Sequence, residues 1–453
     1  MYTFIRPPIQ EPDRVHFIQR LIEAAMKAAD ARKAVRGAVV LKNDNLQVGA
    51  KIFPAAEISR IRIVAVGKAA LAMTRGAVDI LGEKVSDGIL VTKHLPPDWQ
   101  REIPGCIQGL TGGHPIPDEH SIESGRAVEE FLRGTRQSDL ILTLISGGGS
   151  ALVTLPFAGI QLSDLQPLYR RLLESGAEIR EINTIRKHLD RIKGGGFARL
   201  AFPARIVCLI VSDVMGDPLD VIASGMTAAD PTTYDDALRI LEQYRLLAGV
   251  SNNILDILQR GSRGDIPDTP KPGDPCLEGV ANEIILNNAS ALEGVLGELE
   301  TAGWRSQVLE EPLIGEAREE GRRLAEILRQ LAKESDSQKP ICLVGGGETT
   351  VEVRGSGVGG RNLELALAAV DALDGVRNIA LVSLATDGED GITGYAGAVI
   401  SGDTLRIAKE RQISPAGFLA ENNSSRFFEA AGGLIRTEST GTNVNDLVLL
   451  MAW

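Results

Sequence analysis

A chain of 453 residues, 43% of them hydrophobic and 24% charged, has enough apolar side chains for two packed domains. Its formal net charge of -12 excludes the broad basic surface that a nucleic-acid backbone requires, and no apolar run approaches the length of a membrane span. The stretch MYTFIRPPIQEPDRVHF has neither the apolar core nor the small-residue cleavage site of a secretory signal, so a cytoplasmic address is expected. The four cysteines, Cys106, Cys208, Cys276 and Cys342, are far apart and form no CxxC pair, which predicts reduced thiols and no cysteine metal site.

Along the chain, short β-branched runs alternate with helix-length amphipathic segments. The runs are RIRIVAVG (60–67), DGILVTK (87–93), DLILTLIS (139–146), RIVCLIVS (205–212), PICLVGGG (340–347) and IALVSLAT (379–386). This order predicts α/β layering with mostly parallel strands, whose carboxyl ends are where ligands collect. The stretch QRGSRGDIPDTPKPGDP (259–275) is dense in Pro, Gly and Asp and reads as a linker. It divides the chain into an N-terminal domain, 1–265, and a C-terminal domain, 270–453, with a cleft between them as the expected site.

The candidate chemistry stands at the strand ends. Lys68 follows the first run in VGKAA, where a lysine can serve as a point charge for phosphate, although many such lysines are merely solvated. Ser146, Gly147, Gly148, Gly149 and Ser150 follow the third run. Without Cβ atoms in the way, successive N–H groups can converge on an anion; a tight turn with no ligand is the bland alternative. INTIRKHLDRIKGGG gathers Arg186, Lys187, His188, Arg191 and Lys193 within eight residues, either an anion pocket or a solvated basic helix face. Asp213 follows the fourth run directly, where a base or a hard oxygen ligand for Mg²⁺ would be useful, and Asp217 lies close by. In GGGETTVEVRGSGVGGRN, Gly355, Gly357 and Gly360 satisfy G-x-G-x-x-G, with Gly359 inside the pattern. Arg361 and Asn362 open the next helix, the arginine suited to phosphoryl oxygens. ATDGEDG adds Asp387 and Asp390 at a further strand end.

The ordered series VGKAA, GGHPIPDEHS (112–121), SGGGSAL, INTIRKHLDRIKGG, SDVMGDPLDVIASG, GGETTVEVRGSGVGGRN, ATDGEDG and STGTNVNDL resembles the type II glycerate kinases, the glycerate 2-kinases whose C-terminal part is the MOFRL domain. The resemblance spans about residues 15 to 450. It implies a Rossmann-like N-terminal domain with a mostly parallel sheet, a second α/β domain of MOFRL type, and an active site between them. It also implies ATP- and Mg²⁺-dependent phosphorylation of D-glycerate at its C2 hydroxyl. Partners would then be small molecules, with no nucleic acid and no membrane, and a homodimer is compatible with this. The chain departs from the family pattern at Met226, at Glu438 and Ser439, and at Gly394 and Tyr395, changes that bear on acceptor or nucleotide preference.

Phosphoryl transfer asks a protein mainly for positioning and positive charge. Lys68 and Arg361 are expected to supply the charge, and Asp213 either to take the attacking hydroxyl's proton or to hold Mg²⁺. Asp387 is a second candidate metal ligand. The glycine loops 146–150 and 357–360, with Arg186, Lys193 and Asn362, are expected to bind substrate or phosphate. An NAD(P)-dependent hydroxypyruvate reductase is the alternative, since some family members carry that name and G-x-G-x-x-G would serve a dinucleotide. Five other Gly, Lys, Arg and Asp loops weigh against it.

Overall fold

A computed structural model describes residues 2–335, 340–438 and 440–453; Ser439 lies outside them. The chain divides into two compact units, one of residues 31–285 and the other of residues 1–30 together with 286–453. This differs from the expected division at 265/270. The stretch 259–275 is no free linker. Its first residues end the helix Asn252–Ser262, and those beyond dock on unit 31–285, where Asp268 meets His188 Nε2 at 3.1 Å and Thr269 donates to Asp230 at 3.0 Å. The first thirty residues join the other unit because the helix Pro12–Ala28 buries Phe17, Ile18, Leu21, Ile22 and Ala25 and crosses the helix Asn288–Thr301 closely. A Cβ on Gly294 would lie 2.5 Å from the Ala24 carbonyl oxygen.

Unit 31–285 is built on a six-stranded sheet in the order Val280–Leu286, Arg205–Val211, Asp139–Ile145, Arg60–Val66, Val85–Thr92, Ile107–Thr111. The last five pair in parallel. Numbered along the chain these five run 5-4-1-2-3, the doubly wound arrangement, with its switch point between Arg60–Val66 and Asp139–Ile145. Their continuous apolar runs follow from helices covering both faces: Val64, Val66, Ile141, Ile145 and Cys208 are all buried in one core. Four helices, Leu162–Glu174, Ile179–Leu189, Tyr234–Gln243 and Asn252–Ser262, form a second core of their own around Leu165, Leu172, Ile185 and Leu241. A small antiparallel meander, Val39–Lys42, Asn45–Val48 and Lys51–Pro54, completes the unit.

The other unit carries a seven-stranded sheet in the order Thr3–Ile5, Leu434–Arg436, Gly397–Ile400, Ile379–Ala385, Asp446–Ala452, Ile341–Gly347, Arg305–Val308. Only the last pair is parallel, so the expectation of mostly parallel strands fails in this unit. The pairs from Thr3–Ile5 across to Ile379–Ala385 are antiparallel among themselves, and the rest of the departure comes from Asp446–Ala452. It inserts between the two strands that the sequence marks most clearly, and pairs antiparallel with both. All four cysteines are free thiols.

Against this sheet the helix Ala317–Glu334 packs on the helix Arg361–Ala369 so tightly that a Cβ on Gly321 would fall 2.1 Å from the Leu365 carbonyl oxygen. Gly321→Ala should therefore destabilise the protein by about 1–3 kcal/mol through overpacking. Gly297→Ala, on the exposed face of Asn288–Thr301 with nothing within 4 Å, should stabilise it by about 0.4–1 kcal/mol through lost chain entropy. Urea midpoints of the two variants test this, and equal shifts would contradict the packing argument.

Candidate active site

In unit 31–285 the loops at the switch point are stitched together. Lys68 N donates to the Gly147 carbonyl at 2.9 Å, and Ala69 N donates to Ser146 Oγ, also at 2.9 Å. Ser146 is buried and serves the backbone. Gly67 has φ +130°, and a Cβ there would lie 2.2 Å from Ser146 Oγ, so glycine is needed. Gly148, at φ +83°, lets His114 and the stem of Lys68 close over the loop: a Cβ would meet His114 Cδ2 at 3.0 Å and Lys68 Cγ at 3.5 Å. A Cβ on Gly149 would meet that of Ala223 at 3.0 Å. Among the described residues none accepts from the N–H groups of Gly147, Gly148, Gly149 or Ser150. The expected anion cradle thus has a row of available donors, with the Lys68 stem beside it.

Asp213 stands two residues beyond Arg205–Val211, half-buried on the same edge of the sheet. The loop that follows returns to the glycines through two strained residues, Ala223 at φ 47° and Ser224 at φ 56°, conformations that cost of order 1–3 kcal/mol each for non-glycine residues. Ser224 Oγ lies 2.6 Å from Ser150 Oγ and 2.9 Å from Asn183 Oδ1, and Asn183 Nδ2 donates to the Val221 carbonyl at 3.2 Å. Sequence reasoning had not singled out His114, Asn183 or Ser224. The available signal was that each lies within one motif of the ordered series, GGHPIPDEHS, INTIRKHLDRIKGG or SDVMGDPLDVIASG. Met226 is buried in the sheet core, so that departure from the family pattern is one of packing.

The basic helix Ile179–Leu189 is neither a solvated face nor an open pocket. Lys187 is buried between Asp230 at 3.2 Å and Asp220 at 3.5 Å. Lys193, expected to bind substrate, is buried against Asp190 and donates to the Val153 carbonyl at 3.2 Å; burial pushes its ammonium below the ordinary value although Asp190 opposes this. Arg191 pairs with Glu129 at the surface. Arg186 differs. Its guanidinium is buried over the Tyr169 ring, 5.2 Å from the centroid, and among the described residues no carboxylate pairs with it. Burial holds its pKa below the usual arginine value.

In the other unit, Arg361 opens the helix Arg361–Ala369 and is gripped edge-on by Asp446, with Nε and Nη2 donating at 2.5 and 2.9 Å, while Nη1 meets the exposed Glu348 at 2.8 Å. Burial works against the charge, but Asp446, Glu348 and Asp390 outweigh it and keep the group above its ordinary value. Asp390 caps the same helix, accepting from Asn362 N at 3.0 Å and Leu363 N at 2.9 Å. Its burial raises its pKa to about 6.

The G-x-G-x-x-G loop is spent on packing. Gly355 N donates to Asn422 Oδ1 at 2.9 Å, Gly357 N to the Glu421 carbonyl at 2.8 Å and Val358 N to Asn423 Oδ1 at 3.1 Å. A Cβ on Gly359 or Gly360 would strike Ser424 Oγ at 2.5 Å or the Asp390 carboxylate at 2.3 Å. Asn362 is buried, with its amide on Asp390 and Ser383. Gly357 and Asn362, expected to hold phosphate, thus bond within the protein, Gly359 and Gly360 allow close packing there, and the helix start where a dinucleotide's pyrophosphate would sit already holds a carboxylate.

Asp387 is half-buried just beyond Ile379–Ala385 and accepts from Glu389 N at 3.1 Å. Among the described residues no group of three His, Cys, Asp or Glu could hold a metal ion. Single carboxylates such as Asp213 or Asp387 suit Mg²⁺, which keeps several waters and takes one or two protein oxygens beside phosphate.

Comparison with known proteins matches residues 17–259 to a domain of unknown function, DUF4147, and residues 341–446 to the MOFRL family. A D-glycerate 2-kinase of Thermotoga maritima is 40% identical over 87% of this chain and 91% of its own. A putative hydroxypyruvate reductase of Agrobacterium vitis is 38% identical over 95% of this chain and 92% of its own. The crystal structure of a Thermotoga maritima glycerate kinase superposes with a TM-score of 0.82 at 36% identity, covering 98% of this chain and all of that one (100%). The motif series, the two domain matches and this likeness over nearly the whole length agree: the chain belongs to the type II glycerate kinase family, whose C-terminal part is the MOFRL domain.

Proposed function

We propose that this chain is an ATP-dependent D-glycerate 2-kinase that phosphorylates the C2 hydroxyl to give 2-phosphoglycerate, with Mg²⁺ accompanying the nucleotide, and that it works in the cytoplasm. The observation that carries this reading is the row of available N–H groups at Gly147 to Ser150 beside Lys68, at the switch point of a family member's sheet. These donors suit the anionic end of a ligand, either a carboxylate or a phosphate. Arg186, the one member of its cluster without a carboxylate partner among the described residues, suits a second anionic group.

Lys68 and Arg361 lower the cost of charge on the migrating phosphoryl group, and Asp213 receives the C2 hydroxyl proton as the new P–O bond forms and the bond from the γ-phosphorus to the bridging oxygen breaks, releasing ADP. Arg361 reaches phosphate with its outer edge. Asp446 holds the inner edge, and Glu348, being exposed, can yield its place. Magnesium, when bound, neutralises phosphate charge, and Asp213 or Asp387 has the carboxylate oxygen to ligate it. The reductase alternative loses its main support, because Gly355, Gly357 and Val358 donate inside the unit and the Asp390 carboxylate occupies the helix start.

Lys68→Ala and Arg361→Ala should each lower kcat/KM for D-glycerate by about a hundred- to a thousandfold with unchanged circular dichroism. Near-normal turnover would remove that residue from the site. Asp213→Asn should lose most of kcat while keeping MgATP and glycerate affinity. If the variant instead binds MgATP weakly and regains rate as Mg²⁺ is raised, Asp213 is a metal ligand and not the base.

A further inference from the structure

Beside the glycine loop, three side chains form a hydrogen-bonded chain whose direction is readable from its far end. The Val221 carbonyl can only accept, so the Asn183 amide turns its NH₂ toward it. Asn183 Oδ1 then faces the Ser224 hydroxyl, which donates its single proton across 2.9 Å. With that proton committed, Ser224 Oγ accepts from Ser150 Oγ, 2.6 Å away. Ser150 has spent its own proton in turn, and offers only lone pairs to whatever approaches. Asn183 and Ser224 are buried, so reversing the order would leave an amide oxygen against a carbonyl oxygen where no water compensates. Ser150 is only half-buried and can reach a ligand.

We propose that the Ser150 side chain determines specificity by accepting a hydrogen bond from an alcohol O–H of the phosphoryl acceptor, and that its hydroxyl, unlike its backbone N–H, takes no part in holding the anionic group. This rests on D-glycerate being the acceptor. The SGGGS pattern groups Ser150 with an anion cradle, but the hydroxyl chain divides the labour. Backbone N–H groups suit charged oxygens, and Ser150 Oγ suits a proton-bearing oxygen. A 2-hydroxy acid carries both kinds on adjacent carbons. An acceptor-only oxygen also disfavours any ligand that presents a bare carboxylate or carbonyl oxygen there.

The test measures equilibrium binding of D-glycerate, D-lactate and propionate to the full chain, its Ser150→Ala variant and its Ser224→Ala variant, together with turnover of D-glycerate. Ser150→Ala should weaken D-glycerate by roughly tenfold and leave propionate, a carboxylate with no hydroxyl, unchanged. Ser224→Ala frees the Ser150 proton to point outward, so the preference for D-glycerate over propionate should fall although the Ser150 hydroxyl remains. D-Lactate identifies the hydroxyl: if it behaves like propionate the C3 hydroxyl is bound, which leaves the C2 proton for Asp213, and if Ser150→Ala weakens it like D-glycerate the C2 hydroxyl is bound and its one proton is not held by Asp213. Equal weakening of D-glycerate and propionate by Ser150→Ala, or an unchanged preference in both variants, overturns the proposal. Absence of D-glycerate turnover by the unmodified chain overturns the acceptor assignment instead.

Discussion

Loops leaving two adjacent parallel strands in opposite directions tend to open a gap, and in unit 31–285 that gap is bridged by backbone. The Lys68 N–H reaches the Gly147 carbonyl and the Ala69 N–H reaches Ser146 Oγ. This tie makes the rest of the candidate site possible. It sets the lysine stem against Gly148, requires glycine at position 67, and commits the Gly147 carbonyl and the Ser146 hydroxyl, while the N–H groups of Gly147 to Ser150 have no acceptor among the described residues. Each of these details follows from bonding two short loops across a switch point, which is also where doubly wound sheets hold ligands.

The other unit solves a different problem, keeping a guanidinium oriented while partly desolvated. Asp446 fixes one edge of Arg361 and Asp390 caps the helix on which it rides. The glycines at 355–360 let the preceding loop lie flat against residues 421–424. What resembles a dinucleotide fingerprint is a packing device, because glycine serves close approach of backbone whether the neighbour is a pyrophosphate or another stretch of chain.

Four strands of the doubly wound sheet were legible because they are buried and read as apolar runs; the edge strand Ile107–Thr111, largely half-buried, carries no such run. The strand Asp446–Ala452 is just as buried, yet its partners on either side lie far away in sequence, and local pattern carries no information about where a strand inserts. The division into units escaped for a similar reason. Pro, Gly and Asp at 259–275 signal irregular backbone, and irregular backbone can be docked as firmly as a helix when Asp268 and Thr269 find partners. Charge was the least readable quantity. Five basic residues in eight looked alike, but Lys187, His188 and Arg191 have carboxylate partners drawn from elsewhere in the chain, Lys193 has one at the nearby Asp190, and only packing sets Arg186 apart.

The insertion of Asp446–Ala452 also bears on how the molecule is made. Residues 31–285 are contiguous and can fold as soon as they leave the ribosome, domain by domain. The helix Pro12–Ala28 is synthesised before all of them, but its packing partner Asn288–Thr301 comes after, so its apolar face must wait uncovered while an entire unit is built. The Arg361 guanidinium waits too, for an aspartate made 85 residues later. The Arg361 guanidinium and the Asp446 carboxylate that orients it are therefore brought together last in the nascent chain.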